Sequence, residues 1–275
     1  MRIFQFVAAA FAVILPLHGA EPVTIRFAPL PTKQLTRNVE EFLPLTSYLE
    51  AHLPVRFSFV SESDYGAILR GFKEKSIDMA YLGPLPLAKL RKEYPDAMPV
   101  ITFKESDGTG SYRCILAKFA GDRIDPAKPL KVALTQPLST CGYFMSSALL
   151  QEHFGVALES QQYDYTMSHT NALLGVLQGR FDLAGAKDSI AEKFASLGME
   201  IVARSEPLPG FALVVNTRTL SAQQIRNLQQ ALTTVPEHDY RFWRGIGRYG
   251  MLPTDAQAYR IFEREMTIPE KGNMP

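Results

Sequence analysis

A short polar segment, Ser-Thr-Cys-Gly at residues 139–142, follows the apolar run Lys131–Leu134 and precedes a pattern typical of a helix. The first N–H groups of a helix lack backbone partners and carry partial positive charge, so such a turn can bind an anion without lysine or arginine. Ser139 and Thr140 would add hydroxyl donors, and Gly142 would let the backbone come close to the anion. A serine or threonine in this place can also be a simple helix N-cap. The turn follows the carboxyl end of a predicted strand, which favours ligand contact.

A strand, a Pro-Leu turn and a helix occur twice in the chain, and the second copy would position this segment. The first copy begins with the alternating run Val23–Phe27, and the second begins with Lys131–Leu134. Each copy continues with a further predicted strand, Val55–Val60 in the first and Tyr163–Met167 in the second. A polar loop and another helical pattern follow in both. The chain therefore contains one structural unit in duplicate.

Each copy closes with a short predicted strand, Ser76–Ala80 in the first and Arg180–Ala184 in the second. Strands that alternate with helices are typical of parallel βαβ units. Two copies therefore predict the α/β fold class with two lobes, each a mostly parallel sheet flanked by helices. Two further apolar runs, Arg113–Phe119 and Phe211–Asn216, follow turn-forming residues and are predicted to be the places where the chain crosses between the lobes.

Residues 1–20 are predicted to form an export signal, because a basic start, the apolar run Ile3–Leu17 and small residues follow each other in order. The apolar run is shorter than the ~20 residues that span a bilayer. We expect this signal peptide to be cleaved and the mature chain to lie in the periplasm; an uncleaved anchor is the alternative. The mature chain would then form lobe one, residues 21–109 plus 211–275, and lobe two, residues 110–210.

The composition excludes several classes of partner and site. The chain has 275 residues, with 29 basic and 28 acidic side chains and a formal net charge of +1. This balance offers no basic face for nucleic acid. Two cysteines exclude a disulfide-dense scaffold and a four-cysteine zinc site, and the five histidines show no close metal-ligand spacing. We therefore expect no nucleic-acid partner, no metal and no cofactor.

Several motifs together resemble a known family. They are Ser-Asp-Tyr at 63–65, Ile-Asp-Met-Ala-Tyr-Leu-Gly-Pro at 77–84, Ser-Thr-Cys-Gly-Tyr at 139–143, Ser-His at 168–169 and Tyr-Gly-Met-Leu-Pro at 249–253. With them the chain resembles the phosphonate/phosphite/phosphate-type solute-binding proteins of ABC transporters, which have a type II periplasmic-binding fold. The resemblance implies that a small oxyanion is held in a cleft between two lobes and delivered to an ABC permease. It implies a binding protein and not an enzyme, and we expect a monomer.

The resemblance also implies roles for individual residues. In the family, the positions of Tyr65 and Tyr81 supply cleft aromatics whose hydroxyls meet the oxyanion. His169 belongs to the Ser-His motif, in the loop that we align with Asp64 of the first copy. Family members often place an acid near Asp188 to hold an amino group or a protonated oxyanion, although the neighbouring lysine is an alternative partner. The predicted ligand-binding set is Tyr65, Tyr81, Ser139, Thr140, Cys141, Gly142, His169 and Asp188.

Cys141 stands where the family usually has serine, and three readings of it remain open. A disulfide with Cys114 would hold the anion-binding turn, which export and the even cysteine count favour. Two inert thiols are the second reading. The third is a functional thiolate, favoured by the helix N-terminus, that binds trivalent arsenic as in arsenite-sensing relatives of the family.

Two other functions are kept as alternatives. The loaded protein could signal to the ectodomain of a histidine kinase, for an arsenic oxyanion held through Cys141, instead of feeding a permease. An exported hydrolase would use Ser139 or Cys141 as nucleophile with His169 as base and Asp188 as its orienting acid. The motif Gly-x-Ser-x-Gly is absent from the sequence, which argues against the hydrolase.

Overall fold

The structure is a computed structural model that describes residues 21–31, 35–260 and 262. The predicted signal peptide, residues 1–20, lies outside the described residues. Within the described part of the chain, no helix combines the length and the apolar character needed to cross a membrane.

Strands and helices alternate along the chain. Within the described residues the strands are β1 Val23–Ala28, β2 Val55–Phe59, β3 Met79–Leu82, β4 Ala97–Phe103, β5 Ser111–Tyr112, β6 Cys114–Phe119, β7 Lys131–Leu134, β8 Gln162–Tyr165, β9 Leu183–Lys187, β10 Met199–Arg204, β11 Leu208–Pro209, β12 Ala212–Asn216 and β13 Met251–Pro253. The α-helices are α1 Leu35–His52, α2 Tyr65–Lys73, α3 Pro84–Glu93, α4 Met145–Phe154, α5 His169–Leu177, α6 Asp188–Ala191, α7 Ala222–Thr233 and α8 Glu237–Tyr240.

Two sheets form two lobes. The first has the order β13-β4-β12-β3-β1-β2 and the second has the order β10-β6-β9-β7-β8. In the first sheet, β1 pairs in parallel with β2 and β3, and β12 runs antiparallel between β3 and β4. In the second sheet, β7 pairs in parallel with β8 and β9, and β6 runs antiparallel beside β9. The β3-β1-β2 and β9-β7-β8 arrangements are the duplicated unit, so the α/β fold with two lobes is confirmed.

An aspartate stands just before the last strand of each copy and bonds to the backbone of the neighbouring strand. The Asp78 carboxylate accepts a hydrogen bond from the backbone N–H of Arg26 at 2.8 Å, and the Asp182 carboxylate accepts one from Lys131 at 2.7 Å. Both aspartates stand just before a parallel strand and bond to its neighbour. The predicted strands Ser76–Ala80 and Arg180–Ala184 therefore begin too early, because the residues up to each aspartate form the turn before the strand.

The N-caps of α2 and α5 correct the alignment of the two copies. The Asp64 carboxylate accepts from the N–H of Ala67 at 2.8 Å, and the Ser168 hydroxyl accepts from Asn171 at 3.1 Å. Each cap satisfies one of the unpaired N–H groups of the first turn. Since Asp64 and Ser168 are the equivalent caps, His169 corresponds to Tyr65, and our alignment of His169 with Asp64 was wrong by one residue.

The chain crosses between the sheets in a short antiparallel ribbon. Strand β5 pairs with β11, and the Gly210 N–H donates to the carbonyl of Gly110 at 2.7 Å. A Cβ atom at Gly210 would lie 2.8 Å from that carbonyl oxygen, so only glycine fits this approach. The Tyr259 hydroxyl donates to the Gly210 carbonyl at 2.8 Å and fixes the ribbon to the C-terminal segment. The predicted domain boundaries fall in this ribbon and remain a prediction.

Candidate functional site

The turn after β7 begins with a cap and a helical turn of wide pitch. The Ser139 hydroxyl accepts from the N–H of Gly142 at 3.0 Å, and residues Thr140–Phe144 form a π-helical turn before α4. The Thr140 hydroxyl accepts from the backbone N–H of Leu85, at the start of α3 in the first lobe, at 3.1 Å. Each hydroxyl is therefore used as an acceptor and still has its O–H to donate. Both side chains are buried, as a site that excludes water requires.

Gly142 contributes close packing at this turn. A Cβ atom there would lie 2.0 Å from the hydroxyl oxygen of Thr135, at the end of β7. The N–H of Gly142 is already bonded to Ser139, and its carbonyl accepts from the Thr135 N–H at 2.9 Å. The structure thus explains the glycine by the approach of two protein segments, whereas the sequence analysis assigned it to the approach of a ligand.

Aromatic side chains, buried Tyr81 and Tyr112 and partly buried Phe211, pack next to the turn. The ring of Tyr81 stacks on Phe211 with centroids 4.8 Å apart, and Tyr112 lies 5.8 Å from Phe211. Burial raises the pKa of Tyr65, Tyr81 and Tyr112, and mutual repulsion among these ionised hydroxyls adds to the rise in pKa for Tyr81 and Tyr112. All three hydroxyls therefore stay protonated and can act as neutral donors to an anion.

Tyr112 is a candidate site residue that the sequence analysis missed. Within the described residues, its buried hydroxyl has no hydrogen-bond partner. The Thr140 hydroxyl lies close enough to oppose the rise in the pKa of Tyr112, without reaching hydrogen-bond geometry. An unpaired buried hydroxyl is costly, and an oxyanion would satisfy it. The signal for Tyr112 was its place in β5, since the crossing segments of a two-lobed protein border the cleft.

His169 begins α5 and brings a neutral imidazole to the same region. Its Nδ1 atom is buried and has no hydrogen-bond partner in the described part of the chain. Burial, reinforced by the nearby Lys187 ammonium, lowers the pKa of His169 to about 4, and hydrogen bonding to the Gly185 backbone opposes this only in part. The imidazole is therefore neutral at pH 7, and it can donate to an anionic oxygen or accept from a protonated one.

Gln136 adds a third buried polar atom and joins the lobes. Its amide nitrogen donates to the carbonyl of Pro31 in the first lobe at 2.7 Å. Its amide oxygen has no hydrogen-bond partner among the described residues. Together with the bond between Thr140 and Leu85, this contact places residues of both lobes side by side, as a cleft closed over a small ligand requires. The sequence offered no pattern that distinguished Gln136.

A comparison with family models identifies the chain. The model described as ABC transporter, phosphonate, periplasmic substrate-binding protein matches residues 27–259. The chain belongs to this phosphonate-binding family. Proteins of the family are periplasmic substrate-binding components of ABC transporters.

Several solved structures have the same fold. PhnD1 from Prochlorococcus marinus, in complex with methylphosphonate, has a TM-score of 0.73 at 14% identity, covering 89% of this chain and 97% of its own. A Xanthomonas citri protein bound to chloride ion has a TM-score of 0.72 at 15% identity, covering 88% and 95%. A binding protein component of a phosphonate ABC transporter from Pseudomonas aeruginosa has a TM-score of 0.70 at 16% identity, covering 89% and 87%. At these identities the likeness is one of fold.

The two cysteines of this phosphonate-binding family member are joined in a disulfide. Cys114 begins β6 and Cys141 lies in the π-helical turn, with their Cα atoms 4.9 Å apart. Both side chains are buried. The disulfide is inconsistent with the two interpretations that need free thiols, namely two inert thiols and a thiolate that binds trivalent arsenic. Where the family usually has a serine hydroxyl, this chain therefore has a covalent link between the turn and the second sheet.

The structure does not bring Asp188, a predicted site residue, into contact with the rings of Tyr81, Tyr112 and Phe211. Its carboxylate lies 3.3 Å from a guanidinium nitrogen of Arg204 and accepts from the N–H of Ser189 at 2.7 Å. Cys141 is in a disulfide and is not a free nucleophile, and among the described residues the Nδ1 atom of His169 has no partner, so Asp188 does not orient His169 as the hydrolase alternative would need. Within the described residues, no group of three His, Cys, Asp or Glu side chains could hold a metal ion.

Proposed function

We propose that this chain captures a small phosphorus oxyanion in the cleft between its lobes and delivers it to the permease of an ABC transporter. The observation that carries the proposal is the group of buried polar atoms without partners among the described residues, the Tyr112 hydroxyl, the His169 Nδ1 and the Gln136 amide oxygen. They accompany the hydroxyls of Ser139 and Thr140 at the start of a helical turn. A partly protonated oxyanion could accept hydrogen bonds from the hydroxyls of Tyr112, Ser139 and Thr140, and its P–OH group could donate one to the Gln136 amide oxygen or to the His169 Nδ1.

The chemistry of these groups favours an anion over a neutral ligand. The tyrosine hydroxyls are donors that do not ionise, and the helical turn adds partial positive charge. The neutral His169 suits a partly protonated oxyanion, since its Nδ1 atom can accept a hydrogen bond from a P–OH group. The methylphosphonate bound to PhnD1 makes that anion the first probe to use.

The same proposal gives roles to the rest of the chain. Residues 1–20 would direct export and be cleaved, and the mature monomer would bind its ligand in the periplasm. Residues 21–109 plus 211–275 would move as lobe one, and residues 110–210 as lobe two. Hinge closure around a ligand is established for periplasmic binding proteins as a class. The ribbon formed by β5 and β11 would be the hinge.

Calorimetry with methylphosphonate, phosphite and phosphate tests the proposal. At least one of these anions should bind the wild-type protein, and Thr140→Val should weaken it by about 1.5–3 kcal/mol, the cost of losing a hydrogen bond to a charged group. Thr24→Val is the matched control, because Thr24 is exposed on β1. Binding of none of the three, or equal affinity in the wild type and Thr140→Val, would contradict the proposal.

A further inference from the structure

An ion pair that no motif of the sequence predicted lies at the crossing between the lobes. The Lys187 ammonium, at the end of β9, is 2.5 Å from a carboxylate oxygen of Glu105, which follows β4. The side chains are only 15% and 20% exposed, so both charges are largely removed from water. Backbone bonds from Glu105 to Thr109 and from Gly108 to Glu105, at 2.8 and 3.0 Å, hold the loop that presents the carboxylate.

The Lys187 ammonium also lies against the aromatic rings of Tyr112 and Phe211. Its nitrogen is 4.9 Å from the centre of the Tyr112 ring and 5.9 Å from that of Phe211. Attraction between a cation and these ring faces adds to the ion pair. Lys187 therefore lies beside Tyr112, and it is held there by the Glu105 carboxylate and by the rings of Tyr112 and Phe211.

Three other carboxylates near these residues are also engaged. Asp188 pairs with Arg204, and Asp64 caps α2 through the N–H of Ala67. Glu41, whose charge contributes to the raised pKa of Tyr81, also has an interaction of its own. A ligand that carried an ammonium group would thus find Glu105 occupied by a lysine, and it would face the positive charge of that lysine.

We propose that the Glu105–Lys187 ion pair makes the cleft select small phosphorus oxyanions without an amino group, because Lys187 occupies the carboxylate that a ligand ammonium would need. This inference rests on the proposed function and specifies its ligand class. Glu105 and Lys187 are then specificity-determining residues that act on the substituent of the ligand, whereas the hydroxyl donors act on its oxygens.

Two ligands of equal shape test the selectivity. Propylphosphonate and 2-aminoethylphosphonate differ by a methyl group in place of an ammonium, and calorimetry on the wild-type protein gives their ratio of affinities. Propylphosphonate should bind at least about tenfold more tightly, because an unpaired ammonium buried beside another cation is strongly unfavourable. Equal affinities, or tighter binding of the amino ligand, would overturn the selectivity alone. Failure of both ligands while methylphosphonate, phosphite or phosphate still binds would also overturn the selectivity, and failure of all five anions would overturn the proposed function with it.

Variants of the pair give a second test through the same ratio. Lys187→Met keeps a long apolar stem and frees Glu105, so it should shift the ratio at least about tenfold towards 2-aminoethylphosphonate. The double variant Lys187→Met with Glu105→Gln should cancel that shift. Lys118→Met is the matched control, since Lys118 pairs with Glu200 at 2.7 Å with 12% of its side chain exposed. An equal loss of affinity for both ligands in Lys187→Met would mark Lys187 as an oxyanion contact and contradict the inference.

Discussion

At the scale of single residues, the cleft relies on neutral donors rather than on a free cation. The tyrosine hydroxyls remain protonated, and His169 remains uncharged at neutral pH because burial and Lys187 disfavour the imidazolium. The positive charge on Lys187 is compensated by Glu105. Such a site can hold an oxyanion through directed hydrogen bonds and can release it without separating an ion pair with the ligand.

His169 should make the stability of the protein depend on pH. The pKa of a histidine in the unfolded chain is 6.5, whereas burial lowers the pKa of His169 to about 4 in the folded protein. Between pH 4 and pH 6.5 the unfolded chain therefore binds a proton that the folded chain does not. The contribution of neutral His169 to stability is complete above pH 6.5 and is lost as the pH falls towards 4, by about 3 kcal/mol at most. Urea unfolding at pH 7 and pH 4.5 should show a larger loss for the wild type than for His169→Asn.

His153→Asn is the control for this measurement, because His153 is exposed on α4. It should leave the pH dependence of the wild type unchanged. The same loss of stability between pH 7 and pH 4.5 in the wild type and in His169→Asn would contradict the role of His169.

The residues that sequence patterns could identify are those in motifs at strand ends and helix starts. Ser139, Thr140 and His169 were found in this way, because a helix start after a parallel strand is a recurrent ligand position. Tyr112 and Glu105 were missed, because Tyr112 lies in a two-residue strand and Glu105 in a loop, and the neighbours of both are set by the assembled fold. A sequence gives no register for such a segment until the lobes are assembled.

At the scale of elements, the disulfide links the anion-binding turn to the strand that begins lobe two. Cys114 opens β6 opposite Lys187 of β9, and Cys141 follows Thr140 in the turn. The bond therefore connects the turn, the crossing and the end of the strand that carries the ion pair. A ligand would find these three elements already in their bound arrangement, which lowers the entropy cost of binding.

Removing this disulfide should lower both stability and affinity. The linked residues are 27 apart in the sequence, and chain entropy makes closing such a loop worth about 3–4 kcal/mol. The double variant Cys114→Ala with Cys141→Ala should therefore unfold at lower urea concentration and bind methylphosphonate more weakly. A large fall in stability with unchanged affinity would show that the bond does not order the site.

The elements themselves were largely predictable, and the errors have one physical cause. The repeated strand, turn and helix gave the two copies, since alternation and helical periodicity are local signals. The last strand of each copy was placed early because Asp78 and Asp182 were counted within the strand. Each aspartate instead bonds to the N–H of a residue in a neighbouring strand, a contact that depends on sheet order and not on local sequence.

At the scale of the whole molecule, contacts between the lobes match a closed arrangement. Gln136 of the second lobe bonds to Pro31 of the first, and Thr140 bonds to Leu85. Buried aromatic side chains from both crossings lie between them. If the lobes open without ligand, these contacts must break together with the Glu105–Lys187 ion pair and the packing of Leu85 on Cys141, whereas neither sheet is disrupted.

Ligand should therefore reduce the radius of gyration of the protein in solution. Small-angle X-ray scattering should give a smaller value at saturating methylphosphonate than without it, because a bridging anion stabilises the closed arrangement over the open one. An equal radius of gyration in both samples would mean that the lobes do not close on the ligand, and it would refute the hinge.

The central claim, that buried donors in the cleft bind a phosphorus oxyanion, is tested most directly at Tyr112. Its hydroxyl is buried and has no partner among the described residues. Calorimetry on Tyr112→Phe should show methylphosphonate binding that is roughly 10- to 100-fold weaker, while stability against urea is unchanged or about 1 kcal/mol higher, because an unsatisfied buried hydroxyl has been removed. Tyr249→Phe, at an exposed tyrosine, should change neither quantity. Unchanged affinity in Tyr112→Phe would contradict the claim.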